Sequence, residues 1–132
     1  MYELLMDYKI DSIKEKGFVL IKVYKSITAD LEQSFAKEAV ETAQRDDLLN
    51  YCADVRGIPN VASTLDNYSM AYENMASYGL KHESKIAILH SINDHSHNFI
   101  ETVFRNAGYN CKLFTNESDA HDWLKSECAS SA

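Results

Sequence analysis

From residue 6 the chain alternates. Met6, Tyr8 and Ile10 face one way and Asp7, Lys9 and Asp11 the other, the period of two that marks a half-exposed strand. Lys14-Glu15-Lys16-Gly17 interrupts the pattern as a turn, and Phe18 to Tyr24 then reads as a buried strand, so the pair predicts an antiparallel hairpin. From Thr28 the period lengthens. Leu31, Phe35, Ala39, Val40 and Ala43 recur at helical spacing, Asp30 and Glu32 suit the positive end of a helix dipole, and the helix is expected to run to about Leu49. Tyr51 to Val55 follows as a third strand, and Gly57-Ile58-Pro59-Asn60 breaks regular structure.

Ser63 or Thr64 is placed to cap a second helix whose apolar stripe reads as Leu65, Tyr68, Tyr72, Met75 and Ala76, ending near Gly79. Met70, Ala71 and Tyr78 fall nearer its opposite face. Ile86 to Leu89 is a fourth strand. Asn93 or Asp94 is the expected cap of a third helix carrying Phe99, Ile100, Val103, Phe104 and Ala107, and Gly108 sits where a helix C-cap belongs. Cys111 to Phe114 is a short fifth strand, and Asn116, with Asp119 three residues on, opens a last helix bearing Ala120, Trp123 and Leu124. The order is β-β-α-β-α-β-α-β-α. It predicts an α/β fold: a mixed sheet of parallel, right-handed β-α units edged by the N-terminal hairpin. No linker, repeat or low-complexity block divides the chain, so 1–132 reads as one domain with 126–132 as a frayed tail.

Composition narrows the function classes. Hydrophobic residues at 45% and charged residues at 25% belong to a globular chain with a real core. Thirteen basic against twenty acidic residues leave a net charge of −7, and Lys and Arg do not cluster. Such a surface repels phosphate backbones and anionic headgroups, which argues against nucleic acid and against membrane-surface binding. The longest apolar run, Phe18-Val19-Leu20-Ile21, is far too short for a membrane span, and Met1 to Asp7 lack the basic and apolar regions of a signal peptide. Cys52, Cys111 and Cys128 are odd in number and widely spaced. They predict reduced thiols, with Cys52 and Cys111 as small core hydrophobes, and a cytoplasmic setting.

Candidate chemistry is sparse. His90, His95 and His97 crowd a strand end and a helix start, and His97 and Glu101 stand four apart. His95 and His97, two apart, diverge on a helix, so the expectation is surface histidines and no metal. There is no Gly-x-Ser-x-Gly elbow, and the four glycines leave nothing for a phosphate-cradling loop. Asp46-Asp47 reads as a solvated helix end. Asp54, Ser91 and Lys112 match three parts of a phosphoryl receiver, but the acidic pair that must follow its first strand is missing, because a hairpin stands there. No catalytic residue and no cofactor is therefore expected. Tyrosine is common at eight: Tyr68 and Tyr72 are read as core, while Tyr78 with Met70 and Ala71 is the candidate contact face.

One resemblance adds to this reading. Lys85-Ile86-Ala87-Ile88-Leu89, Phe99 to Phe104, Gly108-Tyr109-Asn110-Cys111-Lys112-Leu113-Phe114 and Ala120 to Leu124 resemble the STAS/SEC14-like family, small bacterial proteins related to anti-sigma-factor antagonists. The likeness follows the element order over nearly the whole chain and is clearest from Lys85 onward. It implies a compact β-α superhelix with helices mostly on one side. It also implies an acceptor serine at the start of the second helix, within an Asp-Ser-Ser-Gly motif that follows an Asp-Leu-Ser strand end. Asp54-Val55-Arg56 is similar to that strand end, and Ser63, followed by Thr64, stands at the matching distance. Ala62 and Leu65 occupy the motif's Asp and Gly positions. Ser63, Thr64, Asp54 and Arg56 are thus the implied regulatory or interaction residues. The expected function is a non-enzymatic regulatory or protein-interaction module that contacts a protein partner or itself, as a homodimer. The alternative, implied by the lipid-transfer side of the family, is a carrier or sensor of a small apolar ligand or lipid.

Overall fold

The computed structural model describes residues 6–126. β1 (Tyr8–Ile13) and β2 (Phe18–Val23) pair antiparallel across a turn whose Gly17 has a φ of 81°, a left-handed conformation that favours glycine. β3 (Asn50–Asp54), β4 (Lys85–Leu89) and β5 (Asn110–Phe114) then add in parallel, giving the order β1-β2-β3-β4-β5. β4 is buried at every position and β3 at all but its first, as strands covered on both faces should be. β1, at the edge, keeps the partial exposure that its alternation foretold. The expected α/β class, mixed sheet and N-terminal hairpin are those of the structure.

Each new parallel strand joins the same growing edge, so the helices between strands lie over one face. They are α1 (Ala29–Asp46), a continuous rod over 64–78, and α4 (Asn98–Asn106). The rod is α-helical over α2 (Thr64–Ser69), π-helical over Met70–Asn74 and α-helical again over α3 (Met75–Tyr78). Their inner residues meet Val19, Ile21, Tyr51, Ala53, Ile86, Ile88 and Cys111 in the main core. α5 (Glu117–Lys125) covers the other face, where Ala120 and Leu124 close over Phe18, Cys52 and Ala87. The pleat explains the division, because successive side chains of one strand go to opposite cores.

Helix ends follow local chemistry. The Thr28 hydroxyl accepts from the Leu31 amide, the Asn116 side chain accepts from the Asp119 amide, and Gly79 and Gly108 take left-handed conformations beyond α3 and α4. α1 stops at Asp46 rather than Leu49, because Asp47 turns left-handed and returns its amide to the Ala43 carbonyl. α4 begins later than Asn93 or Asp94. Asp94 accepts instead from the amide and hydroxyl of Ser96, a local turn that competes with helix.

The rod presents a different face from the expected one. Asn67, Met70, Ala71 and Met75 point inward, whereas Leu65, Tyr68, Tyr72 and Ala76 face solvent. The π-turn contributes to this. The Met75 amide bonds to the Met70 carbonyl, and the wider i→i+5 turn brings both methionines to the same side. Phe99 of the expected α4 stripe is exposed as well, while Ile100, Val103 and Phe104 are buried. Cys52 and Cys111 are buried free thiols. Cys128 and the expected frayed tail, apart from Ser126, lie outside the described residues. No helix among the described residues is long and apolar enough to cross a membrane.

Candidate functional site

β3, β4 and β5 deliver their C-terminal ends to one edge of the sheet, where open α/β sheets hold their ligands. Asp54 ends β3, and the chain turns back on it. The Arg56 guanidinium donates to both Asp54 carboxylate oxygens, Nε to Oδ1 at 3.0 Å and Nη2 to Oδ2 at 2.7 Å, and Nη2 reaches Glu117 Oε1 of α5 at 3.2 Å. Burial alone would push the Asp54 carboxyl up, but Arg56 overrides it and holds the group below the usual carboxylate range. Lys16, Lys22 and His121 line the same groove, over Phe18, Leu20 and Cys52. The Asp54, Arg56 and Glu117 charges are committed to one another, and burial pushes the nearby Cys52 thiol up to about 12, leaving it a poor nucleophile. The groove can hold a charged contact in place. His121 Nε2 also stands 3.9 Å from Glu117 Oε2 in this groove.

Ser63 takes the other role open to a serine at a helix start. Its hydroxyl accepts from the Asp66 amide at 3.0 Å, and Asp66 Oδ2 accepts from the Ser63 amide at 3.4 Å, a capping box that opens α2. Thr64, beside it, is exposed. The structure therefore joins Asp54 to Arg56 and gives Ser63 and Thr64 no hydrogen bond to either. The loop between these pairs is pinned. The Gly57 amide donates to the Ser91 hydroxyl at 2.7 Å and the Asn60 amide to the Ser96 hydroxyl at 2.9 Å, while the Ile27 amide donates to the Pro59 carbonyl and the Val61 amide to the Ile27 carbonyl.

A second feature lies inside the main core. Between the sheet and the layer of α1, the 64–78 rod and α4 is a cavity in which about 80 Å³ is open to the centre of a water molecule. Its wall is aliphatic and aromatic except for Glu32, Asn60 and His97. Glu32 is only 9% exposed, and its carboxylate receives no hydrogen bond from a described residue. Burial, with the Asp66 charge adding, pushes this carboxyl up to about 7. His97 is 2% exposed, and its Nε2 lies 2.9 Å from the Ile58 carbonyl oxygen. A carbonyl only accepts, so Nε2 carries the proton. Burial lowers the His97 pKa and favours this neutral form, although Asp94 Oδ2 stands 3.3 Å away.

These observations correct the reading of the histidines. His95 is exposed as expected, but His90 and His97 are buried, and His97 belongs to the wall of the cavity. Among the described residues no three of His, Cys, Asp and Glu are grouped to hold a metal ion. Sequence reasoning had assigned Glu32 to the helix dipole alone. The usable signal was its spacing, since Glu32 stands three and four residues before Phe35 and Ala36 on the buried stripe of α1. No family model, curated protein or solved structure matches this chain.

Proposed function

We propose that this chain is a non-enzymatic, cytoplasmic regulatory or protein-interaction module of the STAS-like type, acting by surface contact with a protein partner or a second copy of itself. The observation that carries this reading is the outer face of the 64–78 rod. Leu65, Tyr68 and Tyr72 are 73%, 50% and 43% exposed, and the two tyrosine rings stack with centroids 4.6 Å apart. A group of large apolar side chains on one exposed helix face is characteristic of a contact site, and rigid aromatics supply contact area at little entropic cost. Ser63 caps the same rod, so a negative charge placed there changes the surface next to Leu65. The mutual pairing of Asp54, Arg56 and Glu117 supports a contact role over a catalytic one.

The test is association. Leu65→Glu and Tyr72→Glu put charges on an already solvated face, so the midpoint of thermal unfolding should hold while self-association, read by sedimentation velocity, or capture of a partner is lost. Unchanged association in both variants would leave this face without a role.

A second reading, a carrier or sensor of a small apolar ligand, is favoured by the cavity beneath α1. Native mass spectrometry of freshly purified protein checks it by the presence or absence of a bound small molecule.

A further inference from the structure

We propose that the cavity beneath α1 binds a small primary amine, with a short apolar body against the core and its ammonium group on Glu32. This rests on the ligand-carrier reading and adds the head group. The argument begins with size. An engineered apolar cavity of about 150 Å³ takes up the six heavy atoms of benzene, so by the same ratio the roughly 80 Å³ here suits about three heavy atoms. Ile21, Phe35, Met70, Ile88, Ile100 and Phe104 offer such a body only dispersion contacts.

The polar groups of the wall then select the head. Asn60 is already engaged: Nδ2 donates to Asn67 Oδ1 at 3.2 Å, and Oδ1 accepts from the Ala62 amide at 3.0 Å. The proton of His97 is committed to the Ile58 carbonyl. Of the three, only Glu32, 9% exposed as a residue, shows no hydrogen bond with a described residue, and its carboxylate oxygens are not sealed off. No Lys or Arg lines the cavity, so a fatty acid or other carboxylate would meet a like charge with nothing to offset it. An alcohol can donate one hydrogen bond. An ammonium group brings three donors and the opposite charge, the combination a buried carboxylate lacks.

The titratable groups around Glu32 come from every element packed on it: Asp66 of α2, His97 ahead of α4, Tyr51 of β3 and Cys111 of β5. Burial pushes the Tyr51 hydroxyl and the Cys111 thiol up and the His97 imidazole down. Glu32 is therefore the group whose ionisation governs amine uptake near neutral pH, and the protonated acid must release its proton to pair with an ammonium group.

Three near-isosteres test the assignment on the intact chain: ethylamine, ethanol and acetate, titrated at physiological salt and about pH 8 with amide shifts followed by NMR. The amine should shift residues of the cavity wall and bind at least about ten-fold tighter than the alcohol, and acetate should not bind. Glu32→Gln should bring the amine down to the alcohol's affinity. Wild-type affinity for the amine should also fall as the pH is lowered from about 8 to about 5.5. Equal binding of amine and alcohol, or an amine preference kept in Glu32→Gln, overturns the head-group assignment and leaves the ligand-carrier reading standing. Shifts confined to surface carboxylates, or no shifts with any of the three, overturn both.

Discussion

Replacing Glu32 with Gln should stabilise this protein, and by an amount that depends on pH. Burial, followed by the charge of Asp66, raises the Glu32 carboxyl from an ordinary 4.5 to about 7. At roughly 1.4 kcal/mol for each pH unit, that rise corresponds to about 3 kcal/mol of cost for keeping the ionised form folded. The sign follows from proton counting. Between 4.5 and 7 the folded protein holds a proton on Glu32 that the unfolded chain has released, so this group's share of stability falls as the pH rises. The full cost is present above about 7 and absent below about 4.5. Gln has the same shape and no charge. Glu32→Gln should therefore match wild type near pH 4.5 and exceed it by about 3 kcal/mol at pH 8, roughly 10 °C in unfolding midpoint for a domain of this size. Urea unfolding of both proteins in half-unit pH steps measures the difference directly, and every other titrating group common to the two cancels. A difference that is flat with pH, or one that widens toward acid, would refute the claim that Glu32 is buried in an unfavourable ionised state.

Trp123→Ala should lower stability by about 2–3 kcal/mol, below the usual range for a buried Trp, because the indole is half-buried against Phe114 at a centroid distance of 5.5 Å; an unchanged thermal midpoint would contradict that packing. Lys85→Ala should cost roughly 2 kcal/mol and speed amide exchange in α5, since the buried ammonium group donates to the carbonyls of Trp123 and Ser126 and so holds that helix's C-terminus; normal α5 protection in the variant would argue otherwise. Ser63→Ala should cost about 1 kcal/mol by removing the cap, whereas Ser63→Asp should stay within about 1 kcal/mol of wild type, a pair of outcomes read from urea midpoints.

How far the sequence carried the fold depends on which side of each element had a competitor. The strands were legible because alternation in β1 and continuous apolar runs in β3 and β4 admit one reading. α1 was legible because Phe35, Ala39, Val40 and Ala43 have no rival apolar face. The 64–78 rod was not. Leu65, Tyr68 and Tyr72 make one helical stripe and Met70, Ala71 and Met75 make another, and periodicity cannot rank two apolar faces. The close fit of the rod to α1 and α4 decided it, together with a π-turn that no local pattern announces. For the site, Asp54 and Arg56 came together because two residues apart at a strand end is a local matter. Glu32 and His97 meet in one wall only through tertiary packing, between a helix start and a loop that are sixty-five positions apart in the chain.

The strand order has a consequence for how the molecule is made. In the order β1-β2-β3-β4-β5 every strand pairs with its neighbours in sequence, so each one leaving the ribosome finds its partner already present. No gap must be held open for a later strand, and the loop closed at each step is a single helical crossover. The second face of the sheet follows a different schedule. Phe18, Cys52 and Ala87 are covered by α5, the last element of the described chain, so they face water until Glu117–Lys125 has emerged. Nascent chains halted after α4 should therefore pair their strands in order yet remain prone to association through that bare face, and release of α5 should end it. The nine residues of α5 thus determine when the second face of the sheet is covered.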